Sequence, residues 1–223
     1  MEDRLMVSGN LILCCHGRFV EDGSLTRVTK KGKKLQEDMI ARYVKQMLDG
    51  LDYLHQEGVV HCDIKCANIL VSRSGVIKLT DFGVSRKLKN DEDFQNEVVG
   101  TPFWMAPEVI SLKGASTASD IWSLGCTVIE LITGHPPYYE LQSMSAMYKI
   151  VEDEHPTFPP GISKELEDFL LCIFKKDPKL RPTAKSLLSH PFMQSAVRKK
   201  SRAASVRIPF PLDLPPKFIV SGS

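Results

Sequence analysis

Residues 118–133, Ala-Ser-Asp-Ile-Trp-Ser-Leu-Gly-Cys-Thr-Val-Ile-Glu-Leu-Ile-Thr, have helical composition and are apolar on nearly every face. Such a helix cannot lie on a surface and has to be enclosed by other elements. Gly134 and the pair Pro136-Pro137 stop it. The chain therefore has to build around a central helix, and 223 residues, 43% of them hydrophobic, are enough to fill one sizeable core.

The elements that could enclose it are readable. From Glu37, the residues Met39, Ile40, Tyr43, Val44, Met47, Leu48, Leu51 and Leu54 recur at helical spacing until Gly58, which predicts a long amphipathic helix. Short β-type runs follow at 58–60, 68–71 and 76–80, with the turn Ser-Arg-Ser-Gly at 72–75 and a polar loop at 84–100. Three more helical segments are expected near 140–152, 162–175 and 182–189, the last with Pro182 at its first position. The expected fold class is mainly α, with short β-hairpins and no repeat of 20–50 residues.

Several classes of function drop out. No apolar run reaches the ~18 residues of a membrane span. The acidic start Met1-Glu2-Asp3 does not resemble a secretory signal, so cytosol or nucleus is expected. Six cysteines, at 14, 15, 62, 66, 126 and 172, show no C-x2-C pair, which favours reduced thiols over a disulfide frame or zinc site. The net charge of +2 is uneven: residues 194–223 carry six basic residues against Asp213, leaving the body slightly acidic. That basic, Pro-containing stretch reads as a disordered tail, and its charge alone marks no nucleic-acid partner.

The chemistry gathers in two loops. His61-Cys62-Asp63-Ile64-Lys65-Cys66-Ala67-Asn68 lies between apolar runs, and Asp81-Phe82-Gly83 closes the next run. Two carboxylates, an ammonium and an amide oxygen at one cleft suit a magnesium-bound phosphate, because Mg²⁺ prefers hard oxygen ligands. Asp63 can accept a hydroxyl proton while Lys65 neutralises charge on a moving phosphoryl group. Gly83 lets the backbone turn directly after the ligand.

Further along come Thr101-Pro102-Phe103-Trp104-Met105-Ala106-Pro107-Glu108, then Asp120-Ile121-Trp122-Ser123-Leu124-Gly125, then Arg181-Pro182. In that order the sequence resembles the eukaryotic protein-kinase family over about residues 19–193. It is most similar to kinases at the top of mitogen-activated cascades and to the septation-initiation kinases of fungi. The resemblance implies ATP and Mg²⁺ as cofactors and a protein substrate with a serine or threonine acceptor, with a scaffold or activator protein as a further partner. It makes Asp63 the catalytic base, has Lys65 stabilise the transferred phosphate, and has Thr101 orient both. Asn68 and Asp81 would hold the metal; Val20, Ser24 and Leu70 would meet the nucleotide, at the hinge backbone, the ribose and the adenine floor. Glu108 and Arg181 would form a buried ion pair, Asp120 would cap the backbone near His61, and Phe82 would pack on His61.

Three departures from the family pattern stand out. Cys62 replaces the arginine that receives an activation-loop phosphate, and residues 86–100 contain no Ser, Thr or Tyr to carry one. Control by a route other than loop phosphorylation, such as partner binding, is expected. None of the 14 glycines forms G-x-G-x-x-G, and only 18 residues precede the hinge-like Phe19-Val20-Glu21-Asp22-Gly23-Ser24-Leu25. The expected organisation is an unassigned leader at 1–18, a kinase domain lacking its N-terminal lobe at 19–193, and the tail at 194–223. Two explanations stay open: an incomplete copy of a longer kinase, or a catalytically inactive binding module. A metal-dependent phosphoester hydrolase using Asp63 and Asp81 would leave the Thr101–Glu108 and Asp120–Gly125 motifs unexplained.

Overall fold

In the computed structural model, residues 6–8, 11–13, 23–29, 35–72, 74–87 and 99–198 are described. Strands β1 (Met6–Ser8) and β2 (Leu11–Leu13) pair as an antiparallel hairpin with Met6 opposite Leu13. That hairpin falls in the stretch left unassigned by the sequence. Strand β3 (Gly23–Ser24) runs into the short helix α1 (Leu25–Thr29). Val20 lies outside the described residues.

Helix α2 (Glu37–Gln56) forms where the stripe predicted it, burying Ile40, Val44, Met47, Leu48 and Leu51. Glu37 and Asp38 place negative charge in its first turn, where it favours the helix dipole. Gly58, at φ 69°, turns the chain out of the helix. Strands β4 (Val59–Val60), β5 (Ile69–Val71), β6 (Ile77–Leu79) and β7 (Arg86–Lys87) follow. One sheet has the order β3-β5-β6, all antiparallel, and β4 pairs with β7. On β5, Ile69 and Val71 are buried while Leu70 faces the other way, the alternation that strand geometry imposes.

Helix α3 (Pro107–Ile110) is a single turn that leads to α4 (Thr117–Thr133), the apolar segment. A Ser116–Ser119 capping box starts α4, and Gly134 at φ 86° ends it. Every residue from Ser119 to Leu131 is buried. Helices α5 (Ser143–Glu152), α6 (Lys164–Ile173), α7 (Ala184–Leu187) and α8 (Pro191–Arg198) complete the fold. The end of α6 presses on α4 at Gly125, where a Cβ would lie 2.6 Å from Ile173 Cγ2. The core joins Trp122, Phe169, Phe192, Leu48 and Leu51, each worth ~1.5–3 kcal/mol when fully buried.

Two boundaries differ from the sequence reading. Pro182 does not open α7; Thr183 caps it by accepting a hydrogen bond from Ser186 N at 3.1 Å. Helix α8 carries the chain to Arg198, past the 193/194 boundary set for the tail, because Phe192 and Met193 are anchored in the core. Residues 199–223 and loop residues 88–98 lie outside the described residues. Among the described residues no helix is long and apolar enough to cross a membrane.

Candidate active site

The loop from β4 to β5 is held from beneath by α4. Asp120 is fully buried and accepts from the backbone N–H groups of His61 and Cys62, each at 2.9 Å, while His55 Nε2 lies 2.9 Å from the same carboxylate. Thr127 Oγ1 donates to Ile64 O at 3.3 Å. These contacts hold Cys62 at φ 67°, a left-handed backbone unusual for a residue other than glycine. Asp81 has φ 63°. Two such residues, each costing ~1–3 kcal/mol, cluster where function demands a fixed geometry.

Asp63, Lys65 and Thr101 close a triangle. Lys65 Nζ lies 2.7 Å from Asp63 Oδ2 and donates to Thr101 Oγ1 at 2.6 Å, and the Thr101 hydroxyl donates to Asp63 Oδ1 at 2.7 Å. Asn68 Nδ2 donates to Asp63 O at 2.9 Å and to Asp63 Oδ2 at 2.8 Å. Burial alone would raise the Asp63 pKa. The hydrogen bonds from Lys65, Thr101 and Asn68, with the Lys65 charge, outweigh it and hold the carboxyl below its ordinary value of 3.8. Asp63 is therefore an anion at neutral pH.

The Asn68 amide has one stable orientation here. Its two neighbours at Asp63 are acceptors, so the nitrogen must face them and the oxygen points elsewhere, available to a cation. The Asn68 carbonyl accepts from Thr80 N and Thr80 Oγ1, both at 3.0 Å, which brings the next residue, Asp81, beside the loop. The Asp81 side chain is exposed, and Gly83 N approaches its Oδ1 at 3.4 Å. An amide oxygen and a carboxylate form a hard-oxygen set that fits Mg²⁺.

His61 backs this arrangement. Its ring lies 4.8 Å from that of Phe82, and its Nε2 is 3.1 Å from Thr80 O. Its Nδ1 accepts from Asp63 N at 3.3 Å, which places the ring proton on Nε2. Burial lowers its pKa below 6.5 despite the pull of Asp120, so the ring is neutral at pH 7. Ser24 and Leu70 are Cα partners in the β3–β5 pair, so two of the three expected nucleotide contacts are neighbours; Val20 lies outside the described residues.

The Cys62 thiol is 8% exposed, and burial, reinforced by the Asp120 charge, pushes its pKa up to about 12. It is an uncharged, enclosed group where a phosphate receiver would need a cation. Gly100, at φ 116°, lies against this turn, with a Cβ there falling 2.7 Å from Cys62 O.

Glu130 was missed by sequence reasoning. Its Oε2 accepts from Cys66 N and from Trp104 Nε1, both at 3.1 Å. The available signal was a lone acid within the last three turns of an apolar helix, which needs a buried partner. Ser123 was missed as well; its Oγ donates to Trp104 O at 2.7 Å. Away from the cleft, Glu108 and Arg181 form the expected buried pair, at 2.5 and 2.7 Å.

Asp63, Lys65 and Thr101 thus close on one another, with Asn68 bonded to Asp63, on a mainly helical scaffold. The chain belongs to the protein kinase domain family, which it matches over residues 8–193. That match begins inside β1, eleven residues before the resemblance read from the sequence. The chain is 56% identical over 173 residues to a probable serine/threonine-protein kinase of Dictyostelium discoideum, covering 78% of this chain and 35% of that one. It is 51% identical to the cytokinesis protein sepH of Aspergillus niger over 86% of this chain and 14% of that one. With MAP3K epsilon protein kinase 2 of Arabidopsis thaliana it shares 53% identity over 81% of this chain and 13% of that one. The matched stretch is thus about a third or less of each relative's length.

Proposed function

We propose that this chain is the catalytic-loop lobe of a serine/threonine protein kinase, built to move the terminal phosphoryl group of ATP to a protein hydroxyl. The closed triangle of Asp63, Thr101 and Lys65 carries this reading. In it Asp63, held ionised, accepts the proton of the acceptor hydroxyl. Lys65 compensates charge on the transferring group, and Thr101 fixes the separation of the two side chains. Asn68 and Asp81 are the residues that would hold Mg²⁺, which when bound neutralises charge on the phosphate oxygens. Leu70 and Ser24 would face the nucleotide, with Val20 at the hinge. The names of the relatives support a place in cascade or cell-division signalling; the cytosol or nucleus is the compartment that suits unpaired cysteines.

No G-x-G-x-x-G occurs among the 223 residues to cover the phosphates. In this reading transfer draws on such a loop from a small lobe. Control is by a route other than loop phosphorylation, such as partner binding: Cys62 offers no cation to a phosphate, and residues 86–100 hold no acceptor. A second reading, a protein-binding module, draws on α5, where Met144 and Tyr148 are 75% and 67% exposed. These lie one helical turn apart on a helix that packs against residues 102–104.

The test is transfer from labelled ATP and Mg²⁺ to a generic serine- and threonine-containing protein. The chain alone should transfer no more than its Asp63→Asn variant. Clear transfer by the unmodified chain alone, lost in the variant, would contradict the need for a small lobe.

A further inference from the structure

Helix α6 presents Asp168 and Cys172 one turn apart, a spacing that puts both on one face. His190, the residue before α8, reaches the same face, and its Nε2 lies 3.2 Å from Asp168 Oδ2. A carboxylate oxygen, the thiol sulfur and a ring nitrogen here all lie within 4.8 Å of one another. The scaffold beneath them is fixed. Phe169, Leu170 and Ile173 of α6 are buried, and the His190 ring meets that of Phe169 edge-on with centroids 5.2 Å apart. The His190 backbone donates to Leu187 O at 3.0 Å and accepts from Met193 N at 2.9 Å. Its side chain is 11% exposed against 68% for Asp168, so the nitrogen is held while the carboxylate is free to swing.

We propose that Asp168, Cys172 and His190 form a binding site for a divalent ion of the zinc class, which staples α6 to the start of α8. The inference is independent of the kinase reading. A thiolate, an imidazole and a carboxylate together suit Zn²⁺, whereas Mg²⁺ takes oxygen ligands, so this site differs in chemistry from Asn68 and Asp81. Donors on one tetrahedral zinc sit ~3.3–3.6 Å apart, given bonds of ~2.0–2.3 Å. His190 and Asp168 are already near that separation. The sulfur has to close by at most about 1.2 Å, within the reach of a turn about its side-chain bond. Three protein ligands leave the fourth position to water. On binding, the Cys172 thiol releases its proton to solvent, and the His190 ring proton moves from Nε2 to Nδ1. Phe192 N, which donates to Nδ1 at 3.2 Å, then turns to water, as the first N–H groups of a helix commonly do. The same geometry argues against a nucleophilic thiol. A thiol–imidazole–acid relay uses one ring nitrogen on the sulfur and the other on the acid, but His190 has Nε2 on Asp168 and Nδ1 on Phe192 N. Burial and the Asp168 charge also raise the Cys172 pKa, leaving the thiol protonated until a cation displaces the proton. No C-x2-C spacing announces the site, because His190 is 22 residues from Asp168.

The experiment is titration of the reduced full chain with Co²⁺, which accepts the same N, O and S ligands and gives a near-ultraviolet absorption when bonded to a thiolate. Mg²⁺ is present in excess to fill sites built of oxygen alone. Cys14-Cys15-His16 is a competing ligand run, so the titration is repeated with Cys14→Ser and Cys15→Ser combined. A thiolate-to-cobalt band should appear in the parent, bleach on addition of Zn²⁺, and persist in that paired variant. Adding Cys172→Ser to the pair should abolish it. Asp168→Asn, at a side chain 68% exposed, should weaken Co²⁺ binding at least ~10-fold, since a ligand counts for no less than an outer-shell partner. This variant decides the matter if Cys172→Ser fails to fold. Zn²⁺ should also raise the melting temperature of the paired variant and leave that of its Cys172→Ser derivative unchanged. No band in the parent, a band lost with Cys14 and Cys15, or one that survives Cys172→Ser overturns the site, as does unchanged affinity in Asp168→Asn.

Discussion

The molecule contains two acid–base pairs of opposite design. Arg181 donates all five of its N–H groups: to Glu108 at 2.5 and 2.7 Å, and to the carbonyls of Ala118, Lys175 and Lys176 at 3.0, 2.6 and 3.1 Å. Its guanidinium also lies 5.1 Å from the centre of the Trp122 ring. Its side chain is 0% exposed. Nothing further can bind there, so the pair is a joint between α3, α4 and the loop after α6. Asp63 and Lys65 are 11% and 19% exposed and share a third partner in Thr101. The difference teaches that saturation, more than charge, separates a pair closed to further partners from one that water or another group can still reach.

The largest effect should come from the saturated pair. Arg181→Ala leaves Glu108 charged and buried, and should cost ~3–5 kcal/mol in urea unfolding. A loss below ~1 kcal/mol would mean that the pair is not the joint described. Next is Gly100→Ala, which adds a Cβ 2.7 Å from Cys62 O at a backbone φ of 116°. It should destabilise by ~1–3 kcal/mol, and transfer by any active form should fall with it. Asp63→Asn should cost less than ~1.5 kcal/mol in the same unfolding experiment, since Lys65 can turn to water. If it costs as much as Arg181→Ala, the two pairs do not differ in kind.

Acid sharpens the contrast further. The His61 pKa is lowered from 6.5 by burial, so below pH 6.5 the unfolded chain takes up a proton that the folded chain refuses. Stability should therefore fall as pH drops from 6.5 towards the lower folded value. Glu130, raised from 4.5, works in the opposite sense, its folded form holding a proton that the unfolded form loses above pH 4.5. The His61 effect is thus best read from melting temperatures of Glu130→Gln, and a flat profile between pH 7 and 5.5 would contradict it. The smallest expected effect is at Cys62. With its thiol pushed up to about 12 and enclosed, it should resist iodoacetamide in the folded chain at pH 8 by peptide mapping. In a form joined to a small lobe, Cys62→Arg should leave transfer unchanged if loop phosphorylation plays no part.

The sequence revealed what depends on local pattern. The apolar run at 118–133 and the stripe from Met39 to Leu54 each carry many residues at helical spacing, so α4 and α2 were legible to within a few positions. The loop residues were legible because their order along the chain is distinctive. What escaped depends on partners far away in sequence. Glu130 meets Cys66 and Trp104 across separations of 64 and 26 residues, and no local spacing announces either. Helix α8 escaped because it is short and its described anchors are only Phe192 and Met193. The start of α7, at Ala184, fell two residues past the expected first position Pro182 because the Thr183 hydroxyl can satisfy the free N–H of Ser186 and so caps the helix.

The most direct measurement of the central claim, that this chain supplies the catalytic half of a kinase, is phosphoryl transfer by a chimaera. It joins the small-lobe segment of the Dictyostelium discoideum relative to this chain at the hinge, and is assayed beside its Asp63→Asn counterpart. The account predicts serine or threonine phosphorylation that depends on ATP and Mg²⁺ and falls at least ~100-fold in the variant. A folded chimaera whose transfer is absent, or is unchanged by Asp63→Asn, would contradict it.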